Sequence, residues 1–203
     1  MKKQSNAYIL YIMCIAITAI CYACKGKQQK EVQPTVKVVP VETIPDFIET
    51  RGLIGDGSSM NVMQLIEKNG DTLEILIADQ MVMGGLIVGD EVDVVYNVVD
   101  ENIVAQTAVN ITALQHLWSQ NVDGGVKKSL QIDSKGRATT YNMSIEYDRW
   151  ALQDGVLLLS SPRKVGDERP TDVDTFQIMM LTEDSLVLMA NSAAFASAFY
   201  RDN

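Results

Sequence analysis

From Thr35 onward the chain is a succession of short segments in which apolar and polar residues alternate, with turn residues between them. This period of two is typical of half-buried β-strands, and no long stretch has the i, i+3, i+4, i+7 spacing of an amphipathic helix. Residues 60–67 and 71–78 flank Lys68-Asn69-Gly70, a hairpin signal because Asn-Gly accepts positive φ angles. The pattern therefore predicts an all-β body.

Later segments repeat this organisation. In residues 91–99 the alternation predicts one buried face, formed by Val92, Val94, Tyr96 and Val98. Residues 133–136 and 153–155 are turn sequences between strand-like runs. In residues 145–152 the inward phase slips by one residue, and we expect a β-bulge near Asp148-Arg149 to reconcile it. Closure into a barrel would remove exposed strand edges.

The N-terminus has a different pattern, MKKQSNAYILYIMCIAITAICYAC, with a basic head, an apolar body over residues 7–23 and the small residue Ala23 before Cys24. It resembles a bacterial lipoprotein signal, which implies removal of the peptide before Cys24 and a diacylglycerol on the Cys24 thiol. Cys24 is preferred over Cys21 because Cys21 follows the bulky Ile20. Residues 1–24 are therefore predicted as signal peptide with acceptor, and residues 25–34, rich in Lys and Gln and ending at Pro34, as a tether. A retained membrane helix and a soluble secreted product stay as alternatives.

Net charge and cysteine usage exclude several chemistries. The net charge of −9 becomes −11 when Lys2 and Lys3 leave with the signal, which argues against nucleic acid as a partner. Cys14 and Cys21 also leave and Cys24 would be blocked by lipid, so neither a disulfide nor a thiol nucleophile is expected. With a single histidine, His116, a His-rich zinc site is impossible, and we predict no metal site, no cofactor and no enzymatic activity.

Two resemblances predict the architecture after the tether. V-G-D-E-V-D-V-V-Y at residues 88–96 resembles the end of a small five-stranded barrel of the OB type, which implies such a barrel over residues 35–112. L-W-S-Q at 117–120, the run 125–143 and I-E-Y-D-R-W-A-L-Q-D-G-V-L-L-L-S at 145–160 resemble bacterial lipocalin-like lipoprotein domains, as does 174–188. We therefore predict a small OB-like barrel followed by a lipocalin-like antiparallel β-barrel over residues 113–203.

The second resemblance also suggests where a ligand would bind. Trp118, Tyr147 and Trp150 are candidates to line a cavity, although large aromatics in a small barrel more often fill its floor or core. The polar loop over residues 161–172 is expected at a barrel mouth, where Arg163 and Arg169 would meet an anionic head group. A packed or surface position is expected for His116.

Two functions are left open by the sequence. The first is a non-enzymatic envelope lipoprotein, anchored to the membrane by lipid on Cys24, that binds a small apolar or amphipathic ligand. The second is an interaction lipoprotein with filled barrels that docks an envelope protein. A hydrolase ranks last, because no base, nucleophile and orienting group form a recognisable arrangement. The absence of an acidic cluster after Cys24 favours the periplasmic side of the outer membrane over the cell exterior.

Overall fold

The computed structural model of the chain describes residues 46–78, 81–162, 171–191 and 193–202. The predicted signal peptide and tether, with Cys24, lie outside the described residues. So do Arg163 and Arg169 of the predicted mouth loop.

The described residues form β-sheet joined by a single turn of helix, which confirms the all-β prediction. One-turn helix α1 spans Ile111–Leu114 and separates two sheets. The strands of the first sheet are β1 (Ile48–Ile54), β2 (Val62–Glu67), β3 (Thr72–Leu76), β4 (Val82–Met83), β5 (Glu91–Val99) and β6 (Asn102–Asn110). The strands of the second are β7 (Leu117–Val122), β8 (Val126–Ile132), β9 (Ala138–Tyr141), β10 (Arg149–Gln153), β11 (Val156–Ser160), β12 (Val173–Leu181), β13 (Ser185–Ala190) and β14 (Ser197–Arg201).

The first sheet closes on itself to form a small barrel. Its strand order is β3-β2-β1-β5-β6-β4, and a parallel bridge between Leu76 and Val104 joins β3 to β6. Residues 68–70 form the predicted hairpin turn between β2 and β3, with Gly70 at a φ of 91° and its N–H donating to the Glu67 carbonyl at 2.9 Å. The hairpin and the small barrel are therefore present, whereas the OB-like assignment stays a prediction.

Strand β5 departs from the single buried face that the alternation predicted. Val92 and Val94 are fully buried, but Val98 is 58% exposed. The register of β5 against β6 shifts between Val95 and Tyr96, but the extra residue lies on β6, and Tyr96 still packs against the core that holds Val92 and Val94. Val98 is exposed because it lies near the end of β5, next to the turn at residues 100–101.

The second sheet is an eight-stranded antiparallel barrel that is nearly closed. Its order is β10-β11-β12-β13-β14-β7-β8-β9. The two outer strands meet where the Ala138 N–H donates to the Asp148 carbonyl at 3.1 Å and the Trp150 N–H donates to the Gly136 carbonyl at 3.0 Å. At the start of β10 the Asp148 N–H donates to the Ser160 carbonyl at 2.9 Å, and Arg149 also pairs with Ser160, so two residues lie opposite one, as the predicted bulge requires.

The antiparallel order gives this barrel two distinct ends. Strand β7 starts directly after α1, so α1 lies at one end together with the turns at 133–136, 153–155 and 182–184. We call this the helix end. The turn at 123–125, residues 191 and 193–196, the segment 142–148 and the residues flanking 163–170 lie at the opposite end, the loop end.

A packed core occupies the helix end. Trp118, Leu130, Leu157 and Leu186 are all essentially inaccessible to solvent and belong to one apolar cluster. Val109 and Ile111, from the end of the first barrel and the start of α1, pack into the same cluster. Burial of apolar side chains contributes roughly 25 cal/mol per Å², so this shared cluster holds the two barrels together.

Candidate ligand site at the loop end

Tyr147 organises the inner wall of the second barrel at the loop end. Its side chain is 6% exposed, and its hydroxyl donates to Asp174 Oδ2 at 2.6 Å. Its ring meets Phe176 edge-on, with ring centres 6.3 Å apart. Burial first, and then the Asp174 carboxylate, raise the pKa of Tyr147 above its usual range. The phenol therefore keeps its proton, which it donates to Asp174, and its oriented oxygen can accept a hydrogen bond from a ligand.

Alternation along the strands adds further side chains to this inner wall. Gln120 follows the core residue Trp118 by two positions, and Lys128 precedes the core residue Leu130 by two, so both face inward. Both side chains are half-buried. The loop end therefore carries an amide and an ammonium group on the same inner wall as Tyr147 and Asp174.

Apolar side chains surround this polar wall. Met143 and Phe176 are partly buried and pack against the core cluster below. Around the loop end, Ile145 is 45% exposed and Phe195 86%. A surface that combines apolar contacts with a few fixed polar groups is typical of a small-molecule site.

The two predicted tryptophans lie at the other end of the barrel. Trp118 is fully buried beneath α1, and its indole N–H donates to the Leu114 carbonyl at 2.8 Å. Trp150 is half-buried and donates its indole N–H to the Asp133 carbonyl at 2.8 Å, in the turn at the helix end. Among the predicted ligand residues, the structure therefore separates Tyr147 from Trp118 and Trp150. Trp118 lies where the alternative expectation put it, in the floor.

The predicted cationic residues Arg163 and Arg169 fall outside the described residues. Strand β11, which precedes them in the chain, ends at the loop end, and strand β12, which follows them, begins there. Sequence reasoning missed Gln120 and Lys128 because it weighted aromatic residues. Strand alternation would have identified both, because Gln120 is two residues after Trp118 and Lys128 is two residues before Leu130.

The described residues contain no group of three or more His, Cys, Asp or Glu side chains that could hold a metal ion. His116 lies at the helix end, where its ring meets Trp118 edge-on at 5.9 Å. Burial first, and then the charge of Arg201, lower the pKa of His116. Over the same part of the chain, no helix has the length and apolarity that a membrane span requires.

Two of the comparisons with known proteins found a match. Residues 108–201 match a family model described as lipocalin-like. Among solved structures, the chain is similar to a lipocalin-like protein from Bacteroides thetaiotaomicron, at 26% identity over 44% of this chain and 97% of that chain, with a TM-score of 0.36. The comparison with curated proteins gave no match. The family match begins within β6, in line with the packing of Val109 into the second core, and it confirms that residues 108–201 resemble lipocalin-like domains.

Proposed function

We propose that this chain is a non-enzymatic lipoprotein of the bacterial cell envelope whose lipocalin-like barrel binds a small apolar or amphipathic molecule at its loop end. The observation that carries the proposal is the contrast between the two ends of the barrel. The helix end is packed with fully buried side chains, whereas the loop end has half-buried polar groups next to exposed apolar ones. In this proposal the ligand occupies the loop end of the barrel, above the packed helix end; we call this proposed site the cup.

The composition of the cup favours an amphipathic ligand. Met143 and Phe176 offer apolar contact for a hydrocarbon part. Lys128, Asp174 and the Tyr147 hydroxyl are polar groups for a head group, and Tyr147 is already oriented by its hydrogen bond to Asp174. Orientation before binding lowers the entropy that a ligand must lose.

The anchor part of the proposal rests on the sequence of the first 24 residues. Lipid on Cys24 would hold the body at the outer membrane, on its periplasmic side. Two or more acyl chains make such anchoring stable, because each buried CH₂ contributes about 0.8 kcal/mol. Membrane lipid would then be close to a site that accepts amphipathic molecules.

A second candidate function is docking of an envelope protein. It is favoured by exposed apolar side chains on the first barrel, where Leu53 and Ile66 lie directly opposite each other on β1 and β2 and Met60, just before β2, is 82% exposed. Exposed apolar patches mark interaction surfaces when they are contiguous. In this case the second barrel would be a filled scaffold.

Native mass spectrometry of a soluble form that begins at Lys25 distinguishes the two functions. We expect an additional mass that organic extraction removes and that returns after exposure to envelope lipid extract. Met143→Ser with Ile145→Ser, which makes the loop end polar, should reduce the occupancy. The matched control, Leu53→Ser with Ile66→Ser, removes exposed apolar groups from the first barrel and should leave it unchanged. A clean apo mass after exposure to the extract would favour the docking function.

The anchor has its own test. In cells fed a labelled fatty acid, the full chain should acquire label and sediment with the outer membrane. Cys24→Ser should abolish the label, whereas Cys21→Ser should retain it. Label that survives Cys24→Ser would contradict the assignment of the acceptor.

A further inference from the structure

A second concave site lies at the junction of the two barrels, away from the loop end. Its volume is about 310 Å³, and its walls come from the first barrel, from α1 and its flank, and from the second barrel. The residues that determine its chemistry are Ile87 and Asp90, then His116, then Glu183 and Arg201. Neither the family resemblance nor the proposed loop-end site uses these residues.

The walls of this junction site are fixed by a buried asparagine. Asn110 is fully buried, and its Nδ2 donates to Asp90 Oδ2 at 2.7 Å and to the Gly85 carbonyl at 3.1 Å. Its Oδ1 accepts from the Ala113 N–H at 2.8 Å at the start of α1. A single side chain therefore ties the loop of the first barrel to α1, so the site is formed before any ligand arrives.

A backbone contact closes the remaining side. The Gly84 N–H donates to the Leu181 carbonyl at 3.0 Å, which joins the first barrel to β12. Gly84 has a φ of 90°, and a Cβ at this position would lie 2.9 Å from the Ala113 Cβ. Only glycine permits this close approach without strain.

Arg201 supplies hydrogen-bonding capacity that the protein leaves unused. Its guanidinium has five N–H donors. Within the described residues it makes one long bond, from Nη1 to the Glu183 carbonyl at 3.4 Å, and no ion pair within 4.0 Å. The guanidinium is thus available to a carboxylate, which it can bind through paired N–H groups.

His116 adds a second polar group on the same wall. Its ring is held against Trp118, and among the described residues its nitrogens have no hydrogen-bond partner. Because burial and Arg201 lower the pKa of His116, the imidazole is neutral at physiological pH and presents one donor and one acceptor. It complements Arg201 without adding a second positive charge.

The carboxylates of Asp90 and Glu183 also line this site. Asp90 is oriented by Asn110 through one of its oxygens, and Glu183 is exposed beside Arg201. A purely anionic ligand would be repelled by these carboxylates, whereas an ammonium group would be attracted to them. Ile87, which is exposed, adds an apolar surface to the lining of the site.

We infer that the junction of the two barrels is a binding site for a small zwitterion of dipeptide size, with its carboxylate on Arg201 and His116 and its ammonium group facing Asp90 and Glu183. Such a ligand touches both barrels, so its binding would also stiffen the junction. The site is independent of the loop-end cup, and its failure would leave the proposed function intact.

The single histidine makes this inference directly measurable. Full chain in detergent micelles, labelled with histidine that carries ¹³C only at Cε1, gives one imidazole signal by NMR, and that signal comes from His116. Titration with glycylglycine should move it saturably. N-acetylglycylglycine, which has the carboxylate but lacks the ammonium group, should bind at least several-fold more weakly. The pKa of His116 should rise in the complex, since the ligand carboxylate offsets the charge of Arg201.

Two variants complete the test. Arg201→Gln should weaken glycylglycine binding roughly tenfold, the loss expected for a charge-assisted hydrogen bond. Arg149→Gln, at an exposed arginine that lines a separate surface depression, should bind like the unmodified chain. The His116 signal of each ligand-free variant and its unfolding temperature report whether the fold is intact. The inference is overturned by a non-saturable shift, by equal binding of the acetylated probe, or by unchanged affinity in Arg201→Gln.

Discussion

Replacement of Glu49 by glutamine should stabilise the protein at neutral pH, although it removes a charged group that accepts a hydrogen bond. Glu49 and Arg51 lie on the same face of β1, and Asp93 lies directly opposite Arg51 on β5. Glu49 is therefore a diagonal cross-strand neighbour of Asp93, within reach of its long side chain. The Asp154 N–H donates to Glu49 Oε1 at 2.9 Å.

Asp93 is the origin of the expected effect. It is 3% exposed, and Oδ2 accepts from Arg51 Nη2 at 2.6 Å, while Oδ1 has no hydrogen-bond partner among the described residues. Burial first, and then the charge and hydrogen bonding of Asp93, raise the pKa of Glu49. Glutamine keeps an acceptor for Asp154, removes the repulsion and brings an amide N–H that can donate to Asp93 Oδ1.

The size of the expected gain in the free energy of unfolding depends on how exposed the Glu49 side chain is. A hydrogen bond to a fully buried charged group is worth about 1.5–3 kcal/mol, and an exposed charge pair about 0.2–1 kcal/mol. The Glu49 side chain is largely exposed, so solvent screens its contribution and the lower part of this span applies. We expect a gain of about 1 kcal/mol, which corresponds to roughly 2–4 °C in Tm for a chain of this size.

The pH dependence gives the sharper assay. A carboxyl whose pKa is raised on folding holds its proton more firmly in the folded state, so stability falls as pH rises through the window between the unfolded and folded pKa. That window begins near the ordinary value of 4.5 and extends upward. In urea unfolding, Glu49→Gln and the unmodified chain should differ least below this window and most above it. Glu74→Gln, an exposed strand glutamate, should change stability by less than about 0.5 kcal/mol at every pH.

Two results would refute this reasoning. One is a stability difference between Glu49→Gln and the unmodified chain that does not change with pH. The other is a gain of the same size in an Asp93→Asn background, because the benefit of glutamine should vanish when the carboxylate is neutral.

Three further substitutions test the packing. Trp118→Ala should cost about 3–5 kcal/mol in urea unfolding, because it empties the floor and removes the bond to Leu114; a cost below about 1 kcal/mol would mean that the floor is not packed. Gly155→Ala should destabilise the protein, since φ is 74° and the added Cβ would lie 2.3 Å from Thr107 Cγ2; Thr107→Ser, which lacks that methyl, should recover part of the thermal stability lost, whereas no recovery would contradict the contact. Asn110→Ala should lower stability by about 1–3 kcal/mol and broaden NMR signals of the junction site, whereas Asn102→Ala, at an exposed turn, should do neither.

Local patterns were sufficient for the strands and for the turns at 68–70, 133–136 and 153–155. The hairpin at 68–70 was predictable because Asn-Gly relieves the cost of positive φ within the sequence itself. The barrel character of residues 113–203 was predictable because alternation and turn spacing are properties of neighbouring residues. The buried face of β5 was predicted correctly for Val92, Val94 and Tyr96 but wrongly for Val98, because the rest of the sheet decides where a strand leaves the core.

The candidate site was predicted only in part. Tyr147 was identified, but its association with Asp174, Lys128 and Gln120 depends on strands far apart in sequence. Trp118 and Trp150 look equivalent to Tyr147 in the sequence, yet the stagger of the barrel puts both at the opposite end. Strand register across the barrel is a tertiary property that no single segment encodes.

The sequence by itself determined that this chain forms short antiparallel strands and turns, because side-chain period and turn chemistry act over a few residues. It also provided the signal-like N-terminus and the lipocalin-like resemblance. Only the tertiary structure decided which groups meet: Asp93 opposite Arg51, Tyr147 on Asp174, and His116 beside Arg201 between the barrels. These contacts join distant segments, and closure, register and burial of the whole chain fix them.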